Sequence, residues 1–279
     1  MNGFPLSSET RICLMRLNDL LSGMGGVAVA FSGGVDSTLL LEVASRFEKM
    51  KVLAVTVHSP LLSLHEMDQV FEYIQRKKIE HHVVRADVFA RREIVENSPE
   101  RCYHCKKFIF GSIIKAAEGR GIDTVIDGTH DDDMNDFRPG IKALEELGVM
   151  SPLKISGFRK KNIRELARFY NMSTWDTPST PCLATRVPCG IPLDLRTIKI
   201  IEKGESFLHC IGFPEVRLRV HRDVARIEVP SDRISEIVSE PVRNKLFMYL
   251  KSLGLDFISV DLQGYRTGSM NYRGEQKKC

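Results

Sequence analysis

The chain alternates short apolar runs with stretches of helical spacing. Residues 27–30 read Val-Ala-Val-Ala, and residues 51–57 form a second, valine-rich run. Bounded runs of this length predict strands, and the second reads as one buried on both faces. His82-Val83-Val84 and Thr124-Val125-Ile126 predict two more. Between them the apolar residues fall at helical intervals. Residues 7–21 carry a stripe of Cys13, Leu14, Leu17, Leu20 and Leu21, and Leu39, Leu40, Val43, Ala44 and Phe47 share one face of the next helix. Val70, Phe71 and Ile74 mark a third helix behind Ser63-Leu64-His65-Glu66, a capping-box pattern. Residues 106–117 predict a fourth, and Ile163, Leu166, Ala167 and Tyr170 a fifth. Strands alternating with helices predict a parallel sheet, and right-handed crossovers place helices on both its faces.

The pattern changes after Trp175, where Thr177-Pro178-Ser179-Thr180-Pro181-Cys182 forms a proline-rich loop. A helix over 195–210 follows. Residues 216–220 and 225–229 then alternate as antiparallel strands around His221-Arg222-Asp223. A helix over 241–253 and a strand over 257–262 complete a smaller unit. The expected organisation is an α/β domain over 1–175 and an α+β domain over 176–279, divided within 172–180. Residues 272–279 are a polar tail.

One stretch carries specific chemistry. Phe31-Ser32-Gly33-Gly34-Val35-Asp36-Ser37 follows the first strand and opens the second helix. A strand, a glycine turn and a helix start expose backbone N–H groups at the positive end of a helix dipole, which suits phosphate. Ser32 and Ser37 add hydroxyls, and Asp36 either holds a cation such as magnesium or caps the helix. The stretch has neither the Gly-Lys pair of the Walker loop nor the Rossmann spacing. Ligands of open parallel sheets bind beyond the carboxyl ends of the strands. Val57 at the end of the second strand and Asp127-Gly128 at the end of the fourth are therefore expected beside this turn. Asp131-Asp132-Asp133 reads as an exposed acidic loop or a magnesium attractor.

Composition narrows the classes. The chain has 279 residues, 43% apolar and 27% charged, enough for one large or two ordinary domains. Forty basic against 36 acidic residues leave +4, too little to demand a nucleic-acid partner. No signal pattern opens the chain and no segment approaches a membrane span, so a cytoplasmic protein is expected. The seven cysteines then read as thiols, metal ligands or catalytic groups rather than a disulfide frame.

Cys182-Leu183-Ala184-Thr185-Arg186 places an arginine four residues after a loop cysteine, a setting for either an activated thiol or an inert one. Cys182, Cys189 and Cys210 together read as an iron–sulfur or metal set, or as unrelated thiols. Arg101-Cys102-Tyr103-His104-Cys105-Lys106 is a C-x-x-C suited to metal binding, disulfide exchange or a persulfide, or to packing alone. Arg217 and Arg219 alternate along a strand and share a face, which suits bidentate phosphate or carboxylate recognition or is simply solvated. Arg266 lies between Gly264 and Gly268, where a ligand can approach the backbone.

The Ser32–Ser37 turn resembles the loop of the PP-loop ATP pyrophosphatases, whose fold is adenine nucleotide alpha hydrolase-like and whose members adenylate a substrate. Further segments resemble the LarE family of sulfur transferases along nearly the whole chain. They are Arg101-Cys102-Tyr103-His104-Cys105-Lys106, Asp136-Phe137-Arg138-Pro139-Gly140, Cys182-Leu183-Ala184-Thr185-Arg186, Gly212-Phe213, Val216-Arg217-Leu218-Arg219, Ala225-Arg226-Ile227-Glu228 and Gly264-Tyr265-Arg266-Thr267-Gly268-Ser269-Met270-Asn271. The resemblance implies that ATP and magnesium bind at Ser32, Gly33, Gly34, Asp36 and Ser37. A pyridinium biscarboxylic acid mononucleotide would be adenylated and converted to a thiocarboxylate in nickel-pincer nucleotide biosynthesis. Cys182 matches the sulfur-donor cysteine, and Arg217 and Arg219 would grip the substrate phosphate, with Arg186 and Arg266 as further substrate contacts. Some relatives use a 4Fe-4S cluster as sulfur source, and Cys189 and Cys210 beside Cys182 resemble that variant. The family also implies a homo-oligomer and hand-over to a nickel-inserting protein. A tRNA thiolase of the same superfamily and a non-catalytic ATP-binding module are the alternatives. Salt-dependent tRNA binding would mark the first, and ATP binding without pyrophosphate release the second.

Overall fold

The computed structural model describes residues 5–62, 64–135, 139–177, 181–222 and 224–266. Ser63 of the capping-box pattern, residues 136–138 and 178–180, Asp223 and residues 267–279 with the polar tail lie outside the described residues. In chain order the elements are α1 (Ser8–Ser22), β1 (Gly26–Ala30), α2 (Val35–Ala44), β2 (Lys51–His58), α3 (Leu64–Lys77), β3 (Glu80–Arg85), α4 (Arg92–Val95), α5 (Arg101–Glu118), β4 (Val125–Ile126), α6 (Pro139–Glu146), α7 (Pro152–Ile155), α8 (Lys160–Phe169), α9 (Leu195–Cys210), β5 (Arg217–His221), β6 (Val224–Glu228), α10 (Ile234–Ile237), α11 (Val242–Ser252) and β7 (Phe257–Val260).

They form two compact units. The first holds 1–87 and 102–180, and the second holds 88–101 and 181–279. The excursion of 88–101 has no signature in composition because main-chain bonds make it. Leu193 N–H donates to Val95 O at 2.8 Å, and Gly190 N–H donates to Asn97 O at 2.9 Å.

The first unit is built on a parallel sheet in the order β3-β2-β1-β4. Val27, Val29, Phe31, Ala54 and Ile126 on one face join the buried cluster formed with α1, α2, α3 and α8. Ala28, Leu53 and Val55 alternate to the other face and are fully buried as well. This explains why β1 and β2 read as continuous apolar runs. Every residue of α2 except Asp36 is buried, the signature of a helix enclosed on all sides. α3 packs Val70, Tyr73 and Ile74 inward, while Phe71 is 43% exposed and meets the His81 ring edge-on. Phe47 packs on the core from beyond the end of α2. α5 begins at Arg101, so both cysteines of the C-x-x-C lie in helix.

The second unit carries a three-stranded sheet, β5-β6-β7, antiparallel between the first pair and parallel between the second. Asp194 caps α9, its carboxylate accepting from Thr197 N–H at 2.8 Å. The helix packs so closely on β5 that a Cβ at Gly204 would stand 2.3 Å from Leu218 Cδ2. No helix among the described residues is long and apolar enough to cross a membrane.

Candidate active site

In the first unit the carboxyl ends of β1, β2 and β4 lie along one edge, which brings the glycine turn, Val57 and Asp127-Gly128 to that edge. Gly33 takes φ of 81°, a left-handed conformation that glycine adopts without a steric penalty. Gly34 is the N-cap of α2 and offers no side chain to its first N–H groups. Those donors and the helix dipole face the same point, which fits a phosphate group. Ser32 Oγ and Ser37 Oγ lie 3.1 Å apart, and the Ser32 N–H donates to Ser37 Oγ at 3.2 Å. The hydroxyls of Ser37 and Thr38 donate back to Gly34 O at 3.2 and 2.8 Å, which fixes the turn.

Val57, at the end of β2, is buried. Asp127 is 5% exposed, and both its oxygens serve the chain: Oδ2 accepts from Thr129 Oγ1 at 2.5 Å and Oδ1 from Ser151 Oγ at 2.6 Å. It thereby fixes the course of the backbone after β4. Gly128 has the closer relation to the turn. A Cβ there would stand 2.9 Å from Ser37 N, so only glycine fits against the start of α2.

Two residues not marked by the sequence complete this edge. Lys160, the first residue of α8, bonds both oxygens of Asp36, at 2.7 and 2.8 Å. His130 is 6% exposed, with Nε2 3.8 Å from Asp36 Oδ1 and 3.7 Å from Asp133 Oδ2. The acidic loop is tied into this framework. Asp132 accepts from Lys160 N–H at 2.7 Å, and Asp133 accepts from His130 N–H at 3.1 Å. The Asp36 carboxylate is the group at this edge suited to magnesium.

In the second unit, Cys182 is half-buried and precedes a 3-10 turn, Leu183–Arg186. Its carbonyl accepts from Thr185 N–H at 2.9 Å and Thr185 Oγ1 at 2.8 Å. Arg186, expected at the substrate, is fully buried. Its Nε and Nη2 each reach Glu205 at 2.9 Å, and Nη1 donates to Pro181 O at 2.7 Å and Cys182 O at 3.4 Å. Arg186 therefore braces the backbone of the cysteine loop.

Arg217 and Arg219 do share a face, yet they are 7% and 5% exposed rather than solvated. Arg219 Nη2 donates to Glu228 Oε2 at 2.8 Å and Nη1 to Thr185 O at 2.9 Å. The Arg217 guanidinium lies 4.9 Å from the Tyr265 ring centroid. Burial, then the neighbouring Arg186 charge, pushes the Arg217 pKa down from its ordinary value. Such a cation gains from an added anion. Arg266 is exposed, and Gly264 beside it has φ of 71°.

Cys182, Cys189 and Cys210, the cysteines of the iron–sulfur expectation, all lie in the second unit. Among the described residues no three His, Cys, Asp or Glu side chains are grouped so as to hold a metal ion. The Cys189 thiol turns to Asn97 O at 3.5 Å, and Cys210 is exposed at the end of α9. Cys182, Cys189 and Cys210 therefore belong to no such group among the described residues. In the first unit, Cys102 is exposed and Cys105 half-buried on the opening turns of α5.

No family model matches the chain. The chain is 33% identical to the pyridinium-3,5-bisthiocarboxylic acid mononucleotide synthase of Lactiplantibacillus plantarum, over 90% of this chain and 91% of the relative. It is also 31% identical to an uncharacterised protein of Synechocystis sp., over 92% and 96%, and 31% identical to one of Methanocaldococcus jannaschii, over 86% and 91%. Identity at this level along nearly the full length of each protein, with the glycine turn and the Cys182 loop in place, shows that the chain belongs to the family of that synthase, the LarE family.

Proposed function

We propose that this protein is an ATP-dependent sulfur transferase that converts a carboxylate of a pyridinium biscarboxylic acid mononucleotide into a thiocarboxylate. The observation that carries the reading is the glycine turn: an uncapped helix start, a left-handed glycine and two serine hydroxyls, in a chain akin to a bisthiocarboxylic acid synthase. The α2 N-terminus and the Ser32 and Ser37 hydroxyls bind the phosphates of ATP. Asp36 would hold magnesium, which when bound would supply Lewis-acid charge to the leaving pyrophosphate. The substrate carboxylate attacks the α-phosphate, giving an acyl-adenylate and pyrophosphate. The Cys182 thiolate then attacks the acyl carbon, AMP leaves, and a thioester forms. Breaking the Cβ–Sγ bond with loss of the Cα proton leaves the thiocarboxylate on the substrate and dehydroalanine at position 182. Arg217 and Arg219 bind the substrate phosphate, with Arg266 contributing from the loop, and Arg186 holds the cysteine loop in place. The product passes to a protein that inserts nickel.

The test is pyrophosphate release in the presence of ATP, magnesium and the pyridinium mononucleotide. Pyrophosphate that depends on the mononucleotide is expected, and ADP with phosphate would refute the reading. Cys182→Ser should retain pyrophosphate release and yield no thiocarboxylate. After one turnover the wild-type chain should be lighter by the mass of hydrogen sulfide. A brown protein from anaerobic purification, turning over repeatedly with its mass unchanged, would replace Cys182 with a cluster as the sulfur source.

A further inference from the structure

The opening of α9 is charged against its own dipole. A helix start favours acidic side chains, yet beyond the capping Asp194 the first turn of α9 has none and carries Arg196 instead. Lys199 and Lys203 follow at intervals of three and four residues, so the three cations form one stripe, about 10 Å long. All three are exposed, and among the described residues none of them forms an ion pair. Arg196 Nη2 lies 3.4 Å from the place a Cβ on Gly254 would take, so its guanidinium stands beside the end of α11.

A groove of about 450 Å³ runs beside this stripe, between α9 and the end of α11. Leu195, Ile200 and Leu253 give it an apolar floor, the first 40% exposed and the other two half-buried. Arg196, Lys199 and Lys203 line it too, and no acidic side chain does. An aliphatic floor beside a cationic rim selects among anions. A nucleic acid gains little from it, because the lining offers no aromatic ring on which a base could stack. An amphipathic helix gains from both, with apolar residues on the floor and carboxylates along the rim. The stripe spans about two helical turns, which matches acidic residues spaced three and four apart on the visitor.

We propose that this groove docks an acidic amphipathic helix of a partner protein. Its apolar stripe lies on Leu195, Ile200 and Leu253, and its carboxylates pair with Arg196, Lys199 and Lys203. The charges steer the encounter and fix the register, and the apolar floor holds the helix in place. The groove belongs to the second unit, which also carries Cys182, so a partner docked there is tethered to the unit that holds the cysteine loop. The docking does not depend on the nucleotide reading.

The test uses the full chain and a fluorescent synthetic peptide of about 18 residues, long enough to hold a helix, with glutamates and leucines in adjacent stripes. Anisotropy should show saturable binding that weakens several-fold from about 50 to about 500 mM salt. The same amino acids shuffled out of their stripes should bind about tenfold more weakly. Lys199→Glu combined with Lys203→Glu should weaken the matched peptide about tenfold, two small attractions being replaced by two repulsions. Lys199→Ala with Lys203→Ala, expected to weaken it several-fold, serves if the reversed variant does not fold. Leu195→Ser should weaken it as well, and Lys161→Ala, whose side chain pairs with Glu9 at 2.7 Å in the first unit, should not. Absence of binding, equal binding of the matched and shuffled peptides, or indifference to the charge reversal overturns the inference. Tighter binding of an RNA of equal charge overturns it in favour of nucleic acid. Self-association of the chain that the charge reversal abolishes overturns it in favour of a second copy. Pyrophosphate release is a separate readout, so the nucleotide reading stands or falls independently of these outcomes.

Discussion

At the scale of single residues, close approach and buried charge decide what each position tolerates. Gly128 meets the amide of Ser37, and a methyl group has no room there. Gly128→Ala should push the start of α2 and raise the ATP KM several-fold, with a smaller effect on melting temperature, as kinetics and calorimetry together would record. Glu205 is a second such position. It is 4% exposed, receives both arms of Arg186 and also accepts from Leu218 N–H at 2.9 Å. Glu205→Gln leaves Arg186 in the interior without its counter-charge and should cost about 3–5 kcal/mol in denaturant unfolding. The sequence made some of this legible. The glycine turn could be read because its chemistry is local, and the shared face of Arg217 and Arg219 because strand side chains alternate. The partners could not be read. Lys160 meets Asp36 across 124 residues, and Arg186 is taken up by Glu205 on another element. A pair of that kind is set by packing, and the local pattern records only that each charge exists.

At the scale of elements, α2 and α3 are joined by a buried polar contact with its own pH signature. Glu42 on α2 accepts from Tyr73 on α3 at 2.7 Å, from Arg46 at 2.9 Å, and pairs with Lys77 at 2.6 Å. Burial acts to raise the Glu42 pKa, but the hydrogen bonds from Lys77, Tyr73 and Arg46 together outweigh it and hold the carboxyl below its usual value. A carboxyl whose folded pKa is depressed adds stability above its unfolded pKa, about 4.3, and loses it as pH falls through the folded value. Glu42→Gln should therefore unfold more easily at pH 7, by about 2 kcal/mol, with the deficit closing as the pH drops below the carboxylate range. Urea melts of both proteins across pH 3 to 7, values spanning roughly that range, would check the sign. Strand and helix runs of this size were readable from periodicity. The short helices α4, α6 and α7 were not, since four to eight residues carry too little pattern to separate from loop.

At the scale of the whole molecule, the segment 88–101 belongs with residues that follow it much later. Asn97 is its anchor. It is fully buried with φ of 54°, and its side-chain amide donates to Pro188 O at 2.9 Å and Ile191 O at 2.8 Å. Asn97→Ala removes both bonds, although Pro188 O keeps the bond from Ile191 N–H at 3.1 Å, and should cost about 2–4 kcal/mol in all. Labelling by a thiol reagent should report it directly, because Cys189 leans on the Asn97 carbonyl and should react faster in the variant. A single domain break within 172–180 was the natural reading of composition, and an excursion held by backbone bonds is invisible to composition.

That excursion also orders the birth of the protein. Ribosomes deliver the chain from the N-terminus, so residues 88–101 emerge with no partner and wait until 181 and beyond have followed. At roughly 5–20 residues per second the delay is on the order of several seconds. Val88 and Ile94, each 1% exposed in the finished fold, are the apolar residues of this segment that reach full burial only in the complete unit. The segment bonded to residues 188–193 in the mature molecule is therefore one that the nascent chain completes late.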